Sequence, residues 1–216
     1  VPDFASDSAE AKQLADQITA IIRNDLRSTG LFELIDPAAF IEQDLSVQLQ
    51  PRFRDWQVIK ADSLGVGEVE VLQNGQMRVA FRLWDTGIEQ ERLLSGQRGR
   101  QYVTTQENLR RVAHVLADDI YSSLTGDDGY FDTRIVFIAE SGPKTERVKR
   151  LAIMDQDGAN AEFLTNGRFT VLTPRFSPSA QQITYMTYER GRPQVYLFDI
   201  ETGRSESLGR FEGMTY

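Results

Sequence analysis

Residues 134–165 and 182–208 of this chain are written to one plan. Each reads as a β-hairpin that ends in an acidic turn and is followed by a short third strand. The first unit supplies Arg134–Ala139, Leu151–Asp155 and Phe163–Thr165; the second supplies Gln182–Thr187, Val195–Asp199 and Ser205–Leu208. Ile135 matches Ile183 at an offset of 48 and Asp155 matches Asp199 at 44, the longer first hairpin loop taking up the difference. A strand-rich repeat of about 40–50 residues is the signature of a β-propeller blade. Two blades do not close a ring, so the repeat describes an incomplete object.

The 216 residues suffice for one or two domains with a buried core. No run of about 18 apolar residues is present, so nothing in the sequence reads as a membrane span. The opening Val1-Pro2-Asp3-Phe4 reads as the end of a strand and not as a charged leader, which is compatible with a leader already removed. Cysteine is absent, which excludes disulfides, thiol catalysis and thiolate metal sites. The single histidine, His114, leaves little for a His-based metal centre or a Ser-His-Asp triad, and no cofactor is expected. Charge is uneven: residues 1–130 sum to −8 and residues 131–216 to 0. The acidic part should repel phosphate backbones, which argues against nucleic acid as its partner.

Residues 1–130 read as one α/β domain. An opening strand precedes a helix to about Ser28, introduced by Asp7-x-x-Glu10 as a capping box and stopped by Gly30. Leu31–Ile35 reads as a strand, Ala38–Glu42 as a short helix behind Pro37, and Gln43–Gln50 as a loop. Arg52–Lys60 reads as a helix with Phe53 and Trp56 inward. Leu64–Leu72 and Met77–Trp84 form a hairpin across Asn74-Gly75, and Gln90–Val103 is a long strand bent at Gly96 and Gly99. A closing helix starts at the capping box Thr104-x-x-Glu107, buries Leu109, Val112, Ala113, Leu116, Ile120 and Leu124, and ends at Gly126. The expected fold is a mixed sheet of about five strands with two main helices, joined through Gly126–Gly129 to the partial propeller of residues 131–216.

The motifs that would announce chemistry are weak. Gly65-Val66-Gly67 lies inside a strand with no helix after it, so it reads as room for a packed helix and not as a dinucleotide loop. Asp155–Asn160 resembles the start of a calcium loop, but Gly167 stands where the bidentate acid would be, and a hairpin turn explains it. Asp118-Asp119 and Glu89-x-Glu91 are candidate carboxylate pairs; adjacent helix residues diverge, and alternate strand residues face solvent. His114 reads as a packing residue at the boundary of the closing helix. Nothing here assembles a catalytic site.

Several segments in a fixed order carry a family resemblance. They are Val1-Pro2-Asp3-Phe4, Ile22-x-x-Asp25-Leu26-x-x-Thr29-Gly30-Leu31-Phe32, Phe53-x-x-Trp56, Leu83-Trp84-Asp85-Thr86 and Leu124-Thr125-Gly126. Gly129-x-Phe131-x-Thr133-Arg134-Ile135, Pro174-Arg175-Phe176-Ser177-Pro178 and Gly191-Arg192-Pro193-Gln194-Val195-Tyr196 complete the set. Together they resemble the TolB family of the bacterial Tol-Pal system. One departure is the turn Ser177-Pro178-Ser179-Ala180, where family blades read Ser-Pro-Asp-Gly; it removes the glycine that a positive φ favours.

The resemblance implies a non-enzymatic periplasmic adaptor: an α/β domain like anticodon-binding domains, then a six-bladed propeller. It implies the lipoprotein Pal bound by the propeller, TolA engaged by a segment preceding Val1, and colicins as possible users of the propeller canal. A role in outer-membrane integrity and cell division goes with these partners. Leu172-Thr173-Pro174-Arg175 is expected to lead into an inner blade strand at the canal mouth. There Leu172 would offer an apolar contact and Arg175 a donor, with Thr173 between them. Two other classes stay open at this point. Related propellers precede prolyl-oligopeptidase-like hydrolase domains, and anticodon-binding-like domains meet nucleic acid.

Overall fold

The computed structural model describes residues 1–93, 99–189 and 192–209. It divides into two compact units, Val1–Asp132 and Thr133–Tyr216. No helix of the described residues is long and apolar enough to cross a membrane.

In the first unit a two-stranded hairpin forms the centre of the sheet. β1 (Ala5–Ser6) runs parallel to β2 (Ser63–Val71), which pairs antiparallel with β3 (Met77–Asp85). β4 (Gln90–Glu91) and β5 (Arg100–Thr104) both pair antiparallel with β3, at its Trp84 end and its Met77 end respectively. The sheet is therefore mixed and five-stranded, as expected, but two of its strands arise differently. The expected strand Gln90–Val103 is two short ones; Gly99 takes φ 72° between them, and Gly96 lies outside the described residues.

Leu31–Ile35, expected as a strand, has no ladder partner. Phe32 and Leu34 pack on one core of the unit, Ile35 packs on the other, and Leu31 is exposed. The alternation that suggested a strand is satisfied by side-chain packing alone.

Two long helices, α1 (Ala9–Ser28) and α3 (Leu109–Thr125), pack against each other, and α1 lies on β2. Ser8, not Asp7, caps α1: its hydroxyl accepts from the Ala11 amide, and with Ala11 three residues on, the expected capping box does not form. The capping box expected at Thr104 is also absent. A 3₁₀ turn at Gln106–Asn108 precedes α3, and the Thr104 hydroxyl instead accepts from the Asn108 side-chain amide at 2.9 Å. Gly126 ends α3 with φ 83°.

Ile18, Ile22, Val79, Phe81, Ala113 and Leu116 form the centre of the main core. A second core lies around Trp56 and Trp84. α2 (Phe53–Val58), shorter than the expected Arg52–Lys60, delivers Phe53 and Trp56 to it. Pro37 opens a single 3₁₀ turn, Pro37–Ala39, where a helix to Glu42 was expected. That leaves Glu42 free to turn inward, where its carboxylate accepts from Trp56 Nε1 at 2.8 Å and from the Arg52 amide.

The chain start is the clearest departure. Val1–Phe4 is not a strand; its backbone is held by helix α1. Thr19 Oγ1 accepts from the Phe4 amide at 3.2 Å, and Arg23 Nε donates to the Val1 carbonyl at 2.9 Å. The Phe4 ring lies over Gly67 and stacks on Phe81 at 5.9 Å between centroids. Gly67 thus makes room for Phe4, and Gly65 for Phe81 and Val1, and not, as expected, for a helix.

The second unit contains two antiparallel sheets. β6 (Arg134–Ser141), β7 (Val148–Asp155) and β8 (Glu162–Phe163) form one. The other has the order β12-β11-β10-β9, with β9 (Thr170–Phe176), β10 (Gln182–Glu189), β11 (Arg192–Asp199) and β12 (Arg204–Gly209). Leu151, Ile153, Val171, Ile183, Tyr185 and Phe198 form its core. The repeat offset matches β6 to β10, so β9 has its counterpart 48 residues earlier, at 122–128, where the chain is finishing α3. Among the described residues the first blade accordingly has three strands and the second has four.

Candidate functional site

Leu172, Thr173 and Arg175 lie within β9, not in a segment leading into it, and β9 is the edge of the four-stranded sheet. Its pairing with β10 is regular at Thr170–Leu172 and again at Arg175–Phe176. Between them the register shifts: Leu172 faces Met186 and Arg175 faces Thr184, so Thr173 and Pro174 together oppose Tyr185. This is a β-bulge, and Pro174 sits where a proline costs no ladder hydrogen bond.

The bulge imposes a rare backbone. Thr173 has φ 47°, the left-handed region in which a Cβ crowds the following carbonyl, and a β-branched residue is least at home there. Such a conformation persists only where neighbours over-determine it. Here the two stretches of regular pairing on either side do so. A bulge of this kind bends its strand and disrupts the ladder locally. Leu172 is half-buried, Thr173 and Arg175 are exposed, and Phe176 is partly exposed. Arg175 Nη1 donates to the neighbouring Pro174 carbonyl at 2.9 Å, which holds the guanidinium beside the kink.

The turn that lost its usual glycine, Ser177–Ala180, closes without one. No residue in it takes a positive φ; the Ser177 amide donates to the Gln182 carbonyl at 2.8 Å and the Gln182 amide to the Ala180 carbonyl at 2.8 Å.

The acidic candidates resolve into structural roles. Asp118 accepts from the backbone amides of Phe131 at 2.7 Å and Asp132 at 3.0 Å, and burial raises its carboxyl above the usual aspartate range. Asp119 points elsewhere: it pairs with Arg100 and accepts from the Tyr102 hydroxyl at 3.1 Å. Asp155 accepts from the Asn160 side chain at 2.7 Å, while Gly158 at φ 87° and Asn160 at φ 52° form a hairpin turn. The equivalent Asp199 accepts from the amide and hydroxyl of Thr202, and the amide bond holds its carboxyl below the usual range.

Sequence reasoning missed one buried polar pair. His114 is fully buried on α3, not at a boundary, and its Nδ1 lies 2.6 Å from Asp25 Oδ2 on α1. In the sequence Asp25 stands out only as part of a motif. Its position on the α1 face that carries Ile18, Ile22 and Leu26 was the available signal.

Comparison with known proteins covers both units. A model of the TolB amino-terminal domain matches residues 1–92, and a model of the TolB beta propeller domain matches residues 121–216. The chain is 50% identical over all 216 residues to the Tol-Pal system protein TolB of Paramagnetospirillum magneticum. The chain belongs to the TolB family. The crystal structure of TolB from Acinetobacter baumannii superposes with a TM-score of 0.80 at 25% identity over 97% of the chain. The chain spans 47% of the Paramagnetospirillum protein and 48% of the Acinetobacter chain, about half of each. Its fold is that of the TolB amino-terminal domain followed by part of the propeller.

Proposed function

We propose that the chain is part of a non-enzymatic periplasmic adaptor, in which residues 1–130 form a scaffold domain and residues 131–216 begin a propeller that binds Pal. TolA is engaged by a segment outside this sequence, and colicins use the same propeller canal. The observation that supports this most is the 50% identity across both units to a Tol-Pal system protein. The Pal-contacting residues on this chain are Leu172, Thr173 and Arg175. A strained bulge on an edge strand, with an apolar and a cationic side chain presented beside it, is the kind of feature that partner binding retains against its own cost.

The test is a titration of Pal into full-length protein carrying Leu172→Ala or Arg175→Ala. A packed apolar anchor or a charged donor at an interface costs more than about 1 kcal/mol on truncation, roughly a fivefold to tenfold loss of affinity. Unchanged affinity in both variants removes β9 from the interface. No binding of Pal to the unaltered protein removes the partner assignment itself.

A further inference from the structure

The six residues between the Gly126 stop of α3 and Thr133, where the second unit begins, are not a free linker. They run back along α3 as a strap, held by its side chains. The Asp127 amide donates to Thr125 Oγ1 at 3.1 Å, and the Gly129 amide to Ser122 Oγ at 3.1 Å. The amides of Phe131 and Asp132 both donate to Asp118, at 2.7 Å to Oδ1 and 3.0 Å to Oδ2. The Asp132 carboxylate then pairs with Arg111 Nε at 3.3 Å. The points of attachment step from Thr125 through Ser122 and Asp118 to Arg111, against the direction of the helix.

Arg111, Asp118 and Ser122 are spaced by seven and four, which places them on one side of α3. At about 100° per residue that side is turned away from Leu109, Val112, Ala113, Leu116 and Ile120, the stripe that the main core buries. The strap therefore lies on the outer side of a helix whose inner side is already packed. Its four amide bonds all go to α3, none to the sheet or to α1.

Contact between strap and helix is close. A Cβ on Gly129 would lie 2.3 Å from Asp118 Oδ1 and 2.6 Å from Asp118 Cα, and a helix backbone does not give way. Phe131 is buried and meets Tyr121 edge to face, at 5.9 Å between centroids. Gly129-x-Phe131 thus has a physical reading: the glycine lets the strap touch α3, and the phenylalanine two residues on anchors it.

We propose that residues 127–132 are a latch, closed by Asp118, that opens without unfolding the first unit. Latched, the chain leaves α3 beside Arg111; released, it leaves at Gly126, about 22 Å away along the helix. Opening moves the point from which the following chain is tethered and adds about 20 Å of extended backbone to the tether. Asp118 suits this role because its two bonds are charge-assisted and are lost together when one side chain turns away. Local opening of a segment that shares no bonds with the sheet is the kind that precedes global unfolding.

Hydrogen exchange on the full-length protein tests this with two variants that attack the latch from opposite sides. Asp118→Asn keeps the shape but sets an NH₂ against one of the two donating amides. Gly129→Ala leaves Asp118 intact and wedges the strap off it. Each should speed exchange at the Phe131 and Asp132 amides at least about tenfold, the loss of one charge-assisted bond. Exchange along Val79–Leu83 of β3 should stay within about twofold of the unaltered protein. Chymotrypsin cleavage after Tyr130 or Phe131 should rise with the local exchange. Unchanged exchange at Phe131 and Asp132 in either variant overturns the proposal. Equal acceleration across β3 overturns it too, since Asp118 would then be holding the whole unit together; should Gly129→Ala fail to fold, Asp118→Asn decides alone.

Discussion

Thr173 offers the sharpest test of the site, because its backbone and its side chain make opposite predictions. At φ 47° a threonine is strained by about 1–3 kcal/mol relative to a glycine in the same place. Replacing it by glycine also loosens the unfolded chain, which costs about 0.5–1 kcal/mol. The side chain is exposed, so its removal forfeits little burial. Thr173→Gly should therefore stabilise the second unit by about 0.5–2 kcal/mol. Thr173→Asn should gain part of that, since asparagine tolerates the left-handed region. Hydrogen exchange in the full-length protein is the suitable assay, because it reads local opening at the β10 amides of Thr184–Thr187, opposite the bulge. The expected order of protection is Gly, then Asn, then Thr. If threonine proves the most protected of the three, the left-handed kink is absent in solution and the strain argument fails. The same variants sort backbone from side chain in the proposed contact with Pal. A contact that needs only the kink survives glycine, whereas one that uses the hydroxyl does not.

Three further outcomes are expected in the first unit. Gly67→Ala places a methyl group inside the Phe4 ring and should destabilise by about 1–3 kcal/mol in chemical denaturation, with loss of the Phe4–Phe81 stack visible in aromatic NMR shifts. His114→Leu leaves the Asp25 carboxylate buried without its 2.6 Å partner and should cost about 3–5 kcal/mol, while Asp25→Leu/His114→Leu should restore much of it. Asp85 accepts from the amides of Ile88 and Gly87 and from Arg92, and these bonds, the Ile88 amide first, hold its carboxyl below 3.8. A depressed folded value gives stability that is present above the ordinary aspartate pKa and lost as pH falls through the lower one. The stability gap between the unaltered protein and Asp85→Asn, measured by thermal melts, should thus be widest near neutrality and close as the solution is taken below about pH 4.

What the sequence made legible was whatever a periodic pattern or a turn residue encodes locally. The α1 and α3 stripes, the Asn74-Gly75 hairpin and the repeated blade strands are all of this kind; the strands lie within three residues of their expected bounds, whereas α3 starts at Leu109 and not behind a cap at Thr104. The misses share a different cause. Leu31–Ile35 has a strand's alternation but no neighbour to pair with, and only tertiary structure decides that. Val1–Phe4 has strand composition, yet Thr19 and Arg23 on α1 satisfy its backbone first. The β9 bulge follows from the register of its partner, which Pro174 hints at and cannot fix. His114 and Asp25 lie 89 residues apart, so their pairing exists only once α1 and α3 pack.

The two blades differ in a way that bears on how the second unit is completed. In the four-stranded sheet, β10 has β9 on one edge and β11 on the other; in the three-stranded sheet, β6 pairs with β7 alone among the described residues. The residues that would supply the missing strand by repetition, 122–128, are committed to the end of α3 and its Gly126 stop. The repeat therefore supplies no strand for that edge, and a strand from elsewhere in the full-length protein is expected to cover it. An open edge of eight residues is a liability for aggregation, and Ile135 near the start of β6 is exposed. Hydrogen exchange makes the argument decidable. In the full-length protein every second amide of β6, those facing away from β7, should be as protected as the amides of β10. Rapid exchange at those positions would mean that the edge stays open and that the first blade is complete with three strands.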